Sequence, residues 1–191
     1  GTVKIAFNNR PSSIGYPPAL FPPLTDVPVA MPALETLGRY NSDGTMGPWL
    51  ALEWKENPEA KTITIKLRDG VKFHDGTDFN AEAVKWNFEK AIEAKRTFAQ
   101  AISSIEVVDP LTVEFHLDTW NSDLLETMLW QLPMASPTAF EEHGEEWMMW
   151  HPVGTGPFVF DSMQNDVFVK YVRNENYWME GRPYLDSIEM R

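Results

Sequence analysis

Histidines, carboxylates and glycine turns are the parts of this chain that could do chemistry, and each has a spacing that can be weighed against a reaction. The histidines are His74, His116, His143 and His151. His74 beside Asp75 brings together an imidazole and a carboxylate, the groups of general acid-base catalysis. Neighbouring residues of a turn rarely face each other, so this pair reads as a surface or turn-bracing feature. His143 stands in Glu141-Glu142-His143-Gly144-Glu145-Glu146, whose side chains are of types that hold divalent ions. The spacing matches no closed site and a charged helix end accounts for it, so no metal is assigned. Carboxylate pairs such as Asp75 and Asp78 are common in an acidic chain and carry little information. Val153-Gly154-Thr155-Gly156-Pro157 is glycine-rich, but it lacks the Gly-Lys-Ser/Thr of a phosphate loop, and a strand follows where a helix should start. It reads as a turn entering a strand. There is no cysteine, which removes thiolate nucleophiles, disulfides and iron-sulfur ligation together, and no Gly-x-Ser-x-Gly elbow is present. No catalytic residue and no cofactor is assigned.

The aromatic content points elsewhere. Eight Trp and eleven Phe among 191 residues exceed what the core needs. The densest cluster, Trp147-Met148-Met149-Trp150, reads as packing at a junction, with contact to a ligand or partner as the alternative. Trp130 falls off the Leu124, Met128 and Leu132 side of its helix, where it could cover another lobe or line a cleft. A 43% hydrophobic content excludes wholesale disorder. With 16 Lys plus Arg against 28 Asp plus Glu, the net charge of -12 argues against nucleic-acid binding. No apolar run approaches the roughly 18 residues that span a bilayer, and no leader opens at Gly1. An exported protein would already have lost its signal.

The elements that must position these residues are legible in part. Val3 to Phe7 reads as a strand. Asn8 to Pro32 holds seven of the fifteen prolines and should be irregular and not helical. A short helix is expected over Ala33 to Arg39, closed by a turn at Asn41 to Gly44. Ile63, Ile65 and Leu67 alternate with polar residues in a strand from Lys61 to Arg68, and Asp69-Gly70 turns the chain into Val71 to Phe73. Asn80 caps a helix from Ala81 to about Lys95, with Val84, Phe88, Ala91 and Ile92 on one stripe. Ile105 to Val108 and Leu111 to Leu117 form a hairpin, and a helix runs from near Asn121 to Leu132. Gly156 to Asp161, Val167 to Arg173 and Leu185 to Met190 are further strands. The mixture lacks regular βαβ alternation, so the class is α+β, with mixed sheets and packed helices.

In order along the chain, several blocks resemble the extracytoplasmic solute-binding proteins of ABC importers, in the family for dipeptides, oligopeptides and nickel complexes. They are Leu50-Ala51-Leu52-Glu53-Trp54, then Thr62-Ile63-Thr64-Ile65-Lys66-Leu67-Arg68-Asp69-Gly70-Val71-Lys72-Phe73-His74-Asp75-Gly76-Thr77. Phe79-Asn80-Ala81-Glu82-Ala83-Val84-Lys85-Trp86, Val153-Gly154-Thr155-Gly156-Pro157-Phe158 and Arg173-Asn174-Glu175-Asn176-Tyr177-Trp178 follow. The resemblance implies the N-terminal part of a bilobal periplasmic-binding-protein-like fold. Residues 1–34 and 150–191 would belong to a discontinuous first lobe and 35–149 to an inserted extra domain. Family members are much longer, so the chain reads as an N-terminal fragment whose second lobe lies elsewhere. The ligand would lie between lobes, against the segment after the first strand. Gly15 to Phe21 resembles that segment, which makes Tyr16 and the following Pro22, Pro23 and Leu24 expected contact positions. Phe98 sits where the extra domain reaches toward the cleft, and Trp130 precedes a stretch near the hinge; both can also be read as core aromatics. The implied function is capture of a small peptide or metal chelate outside the membrane for delivery to ABC permease subunits, without catalysis or a membrane-spanning segment. A lipid anchor on the full-length protein would be compatible. The other classes weighed are a hydrolase or isomerase with an unrecognised site and a scaffold or chaperone-like module.

Overall fold

Segments of strand period and helix period are interspersed, and the computed structural model assembles them into two four-stranded sheets and a separate two-stranded ribbon. It describes residues 1–6, 11–20, 27–165 and 167–191. The elements begin with β1 (Thr2–Ile5), α1 (Pro17–Leu20), α2 (Val27–Ala30), β2 (Gly38–Tyr40), β3 (Met46–Pro48), β4 (Ala51–Asn57), β5 (Thr62–Leu67) and α3 (Ala81–Glu93). They continue with β6 (Ile102–Asp109), β7 (Thr112–Leu117), α4 (Leu124–Trp130), α5 (Pro137–His143), α6 (Glu145–Met148), β8 (Phe158–Gln164), β9 (Phe168–Arg173) and β10 (Ser187–Met190). One sheet has the order β1-β10-β9-β8, with β1 parallel to β10 and the remaining pairs antiparallel. The other, β4-β5-β7-β6, is antiparallel throughout. The α+β class expected from the sequence is the one that forms.

The period-two pattern decides the larger core. Ile63, Ile65 and Leu67 of β5 and Val113, Phe115 and Leu117 of β7 are all buried on one face, because successive side chains of a strand point to opposite sides. Helix α3 lays Val84, Phe88 and Ala91 on that face, and the Phe88 ring meets Phe115 edge-on at 4.8 Å. Burying a ring of this size contributes about 1.5–3 kcal/mol. The Asn80 side chain accepts from the Ala83 amide as the helix cap. At the other end the helix stops at Glu93, and Lys95 turns to a φ of 56°. Asn87 shares the buried face and is fully satisfied. Its amide donates to the carbonyls of Ala83 and Ala135, both at 2.9 Å, and accepts from the Ala135 N–H at 3.0 Å.

A second core lies on the first sheet, where Ile14, Val29, Ala30, Ala33 and Leu34 cover Phe158, Val169, Tyr171 and Met190. The Tyr171 hydroxyl fastens this cover by donating to the Val29 carbonyl at 2.7 Å. Two expectations need correction here. The proline segment is not wholly irregular: α1 and α2 are single helical turns, with Pro17 first in one and Pro28 second in the other. Proline's fixed φ suits the first turn of a helix, where its missing N–H costs nothing. The helix expected over Ala33 to Arg39 does not form. Leu34 belongs to the core of the first sheet and Leu37 to that of the second, whereas residues three apart on a helix share a face. An extended crossing serves both cores, and Gly38–Tyr40 then pairs with Met46–Pro48.

Candidate ligand-binding region

Tyr16 stands at the start of the segment formed by residues 15–21. The amides of Ile14 and Gly15 both donate to the Met149 carbonyl, at 2.8 and 3.1 Å. Gly15 runs so close to α6 that a Cβ there would lie 2.0 Å from the Met148 carbonyl oxygen. This contact buries Tyr16 to 1% exposure, stacked on Phe140 at 5.1 Å and tilted against Trp86 at 6.3 Å. Burial of the ring, with Glu145 and Glu93 nearby, pushes the hydroxyl pKa well above its ordinary range. Tyr16 is thus a strut that holds the start of the segment against α3 and α5. Pro22, Pro23 and Leu24 lie outside the described residues. Phe98 is 6% exposed and packs edge-on against Phe88. Trp130 is 37% exposed at the end of α4 and leans on Tyr40, itself 44% exposed, at 5.7 Å. The structure therefore brings none of these described positions together: Tyr16 and Phe98 are buried in different clusters, and Trp130 faces solvent. Between α3 and α5 a groove of about 460 Å³ opens beside Trp86, with Thr77, Asp78, Asn80, Lys85 and Thr138 on its walls.

The most concentrated polar site was not legible in the sequence. Glu35 is 3% exposed, and its carboxylate accepts four hydrogen bonds. Trp49 Nε1 at 2.8 Å and the Tyr177 hydroxyl at 2.6 Å donate to Oε1; Trp178 Nε1 and the Thr155 hydroxyl, both at 2.9 Å, donate to Oε2. Burial raises the Glu35 pKa and these donors oppose the rise. Two guanidinium groups lie over the indoles of the same cluster, Arg39 on Trp49 at 4.1 Å and Arg68 on Trp178 at 4.4 Å. Glu35 sits on the extended crossing between the cores, so this cluster clasps the Gly-rich turn and the Tyr177-Trp178 turn to β2 and β3.

His74 closes a second clasp. Its Nε2–H donates to the Gly156 carbonyl at 2.9 Å while its backbone amide donates to the Gly154 carbonyl at 2.8 Å. Burial pulls the imidazole pKa down, and Nδ1 is buried with no hydrogen-bond partner among the described residues. The adjacent Asp75 accepts from the Ser136 hydroxyl and from the Thr77 amide, and its charge partly offsets the lowering of the imidazole pKa by burial. Ser136 in turn caps α5 by accepting from the Ala139 amide at 3.1 Å. Serine, histidine and aspartate are thus close in space: Ser136 and Asp75 bond to each other, and each of the three also engages a backbone group, the Gly156 carbonyl for His74, the Thr77 amide for Asp75 and the Ala139 amide for Ser136. The Gly-rich turn is a structural turn entering β8, as expected. A Cβ on Gly154 would stand 2.3 Å from the Ala33 carbonyl oxygen, and one on Gly156 2.6 Å from that of Pro32.

The two buried clasps join the sheets into one frame, and comparison with known proteins places that frame in a family. Residues 45–191 match the family of bacterial extracellular solute-binding proteins, family 5, in its middle section. The chain belongs to that family. Over 148 residues, 74% of this chain, it is 39% identical to the glutathione-binding protein GsiB of Shigella flexneri serotype 5b, and the match spans 29% of that protein. The chain therefore covers under a third of the length of such relatives. Among solved structures, NikA from Brucella suis in complex with Fe(III)-EDTA is 30% identical with a TM-score of 0.82, over 98% of this chain and 39% of that one. An ABC transporter substrate-binding protein from Sinorhizobium meliloti is 27% identical with a TM-score of 0.86, over all of this chain and 39% of the other.

Proposed function

We propose that this chain is part of the solute-binding component of an ABC importer, and that the solute is a small peptide or peptide-like molecule. The observation that carries the reading is the 39% identity to glutathione-binding proteins over 148 residues. A metal chelate is the second reading, favoured by the 30% identity to the Fe(III)-EDTA complex of NikA. The two sheets and their cores support a division into a first-lobe portion, 1–34 and 150–191, and an inserted domain, 35–149, since β1, β8, β9 and β10 come from the two ends of the chain. The second lobe would close on the solute as a clamp, the ligand stabilising the closed state because it touches both halves. Tyr16 would position the wall of the cleft, Pro22, Pro23 and Leu24 would contact the solute, and Phe98 and Trp130 would act from the inserted domain.

Binding without turnover is the expected behaviour, because the family is one of solute-binding proteins and the His74 Nε2–H holds the Gly156 carbonyl while Ser136 and Asp75 brace a cap and a turn. The family of bacterial extracellular solute-binding proteins supports work outside the cytoplasmic membrane, with the permease as partner. Native mass spectrometry of the full-length protein purified from its host tests this reading. A co-purified peptide-class solute released intact on denaturation is expected. A bound chelate would favour the second reading, and hydrolysis of added peptides would overturn both.

A further inference from the structure

The outer face of the second sheet carries a set of side chains that the solute-binding reading does not use. Glu114 and His116 lie two residues apart on β7, so both project from the face opposite Val113, Phe115 and Leu117. Glu106 of β6 is directly opposite Glu114 in the strand register. His116 Nε2 is 3.5 Å from Glu114 Oε1 and 3.6 Å from Glu106 Oε2, and one ligand atom from each residue lies within 4.8 Å of the other two. The other oxygen of Glu114 is held by the Thr64 hydroxyl from β5 at 2.8 Å, which fixes the carboxylate and leaves Oε1 toward the imidazole.

We propose that Glu106, Glu114 and His116 form an open site for a first-row divalent cation of the zinc class. A tetrahedral ion with bonds of about 2.0–2.1 Å needs ligand atoms about 3.3–3.4 Å apart, so the two distances to the imidazole require only a small contraction. One imidazole nitrogen and two carboxylate oxygens suit zinc, nickel or copper better than calcium or magnesium, which take oxygen ligands. Two carboxylates neutralise the charge of the ion. Like charges directly opposite on adjacent strands are destabilising, and neither glutamate forms an ion pair with a lysine or arginine among the described residues. A cation between them removes that repulsion. Three protein ligands on ordered strands, with side-chain exposures of 65%, 29% and 37% for Glu106, Glu114 and His116, leave the fourth position to water or to a donor from outside.

Zinc chloride titrated into the full-length protein, followed by the histidine ring-nitrogen resonances, tests the site independently of any solute. Saturable shifts of the His116 ring, with one zinc bound per chain at this face, are expected. His116→Gln and Glu114→Gln, on the wet side of the sheet, should each weaken zinc binding about tenfold or more while circular dichroism remains that of the parent. His116 resonances unmoved at millimolar zinc, or affinities unchanged in both variants, would overturn the proposal.

Discussion

At Glu35 four donors converge on two oxygens, and each oxygen receives one indole N–H and one hydroxyl. An indole can only donate. Glu35→Ala orphans all four groups and should cost at least about 3 kcal/mol in a urea melt, since each buried donor left unpaired costs about 1–3 kcal/mol. Glu35→Gln should lose about 1–3 kcal/mol, because either orientation of its amide sets an NH₂ against an indole N–H. An alanine variant as stable as the parent would show the cluster to be dispensable. His74 gives a prediction in pH. Burial lowers its pKa below the ordinary 6.5, so the unfolded chain binds the proton more readily. Its contribution to stability is therefore complete above about pH 6.5 and is lost as pH falls from there through the folded value. His74→Gln, which keeps a donor for the Gly156 carbonyl, should remove this part of the acid sensitivity. Parallel stability curves for the two proteins between pH 7 and 5 would contradict it. Neither clasp could be read from the sequence: the partners of Glu35 lie 14 to 143 residues away, and His74 reaches 82 residues to Gly156.

Elements whose signals are local were legible, and elements set by distant packing were not. Helix α3 carries its own cap and its own apolar stripe, and β5 and β7 alternate cleanly. Phe88→Ala should cost about 3–5 kcal/mol, as buried ring truncations do, while Lys85→Ala should stay within about 0.5 kcal/mol, since its contact with Glu89 is a long 3.9 Å. Similar losses in a denaturant titration would place the helix in the wrong phase. Edge strand β4 escaped because its burial does not alternate: Ala51 is buried, Leu52 is 43% exposed and Trp54 only half-buried. Helix α5 had readable punctuation, a Ser136 cap, Pro137 at the first position and Gly144 past the end, but its charged end drew the reading toward a solvated run. The crossing at residues 33–37 has apolar spacing that suits a helix, but its Leu34 and Leu37 serve two different cores. The glycine turn packed against it is equally constrained, and Gly154→Ala should lower stability by about 1–3 kcal/mol. An unchanged melting temperature would mean that the Ala33 backbone can yield.

For the whole molecule, three of the segments within the blocks that carry the family resemblance hold the two sheets together: the His74 loop, the Gly-rich turn and the Tyr177-Trp178 turn. That explains why family membership was legible while the solute was not, since a frame is recognisable from its own residues and a ligand from contacts distributed over both walls of a cleft. If the clamp reading is right, residues 1–191 hold only part of those contacts. Affinity depends exponentially on contact energy, and a loss of about 4 kcal/mol weakens binding roughly a thousandfold. Titration calorimetry with reduced glutathione and short peptides, run in parallel on residues 1–191 and on the full-length protein, tests this most directly. Saturable binding by the full-length protein, weakened about a thousandfold or lost in the shorter chain, is the predicted result. Equal affinities would place the whole site within these residues and contradict the clamp.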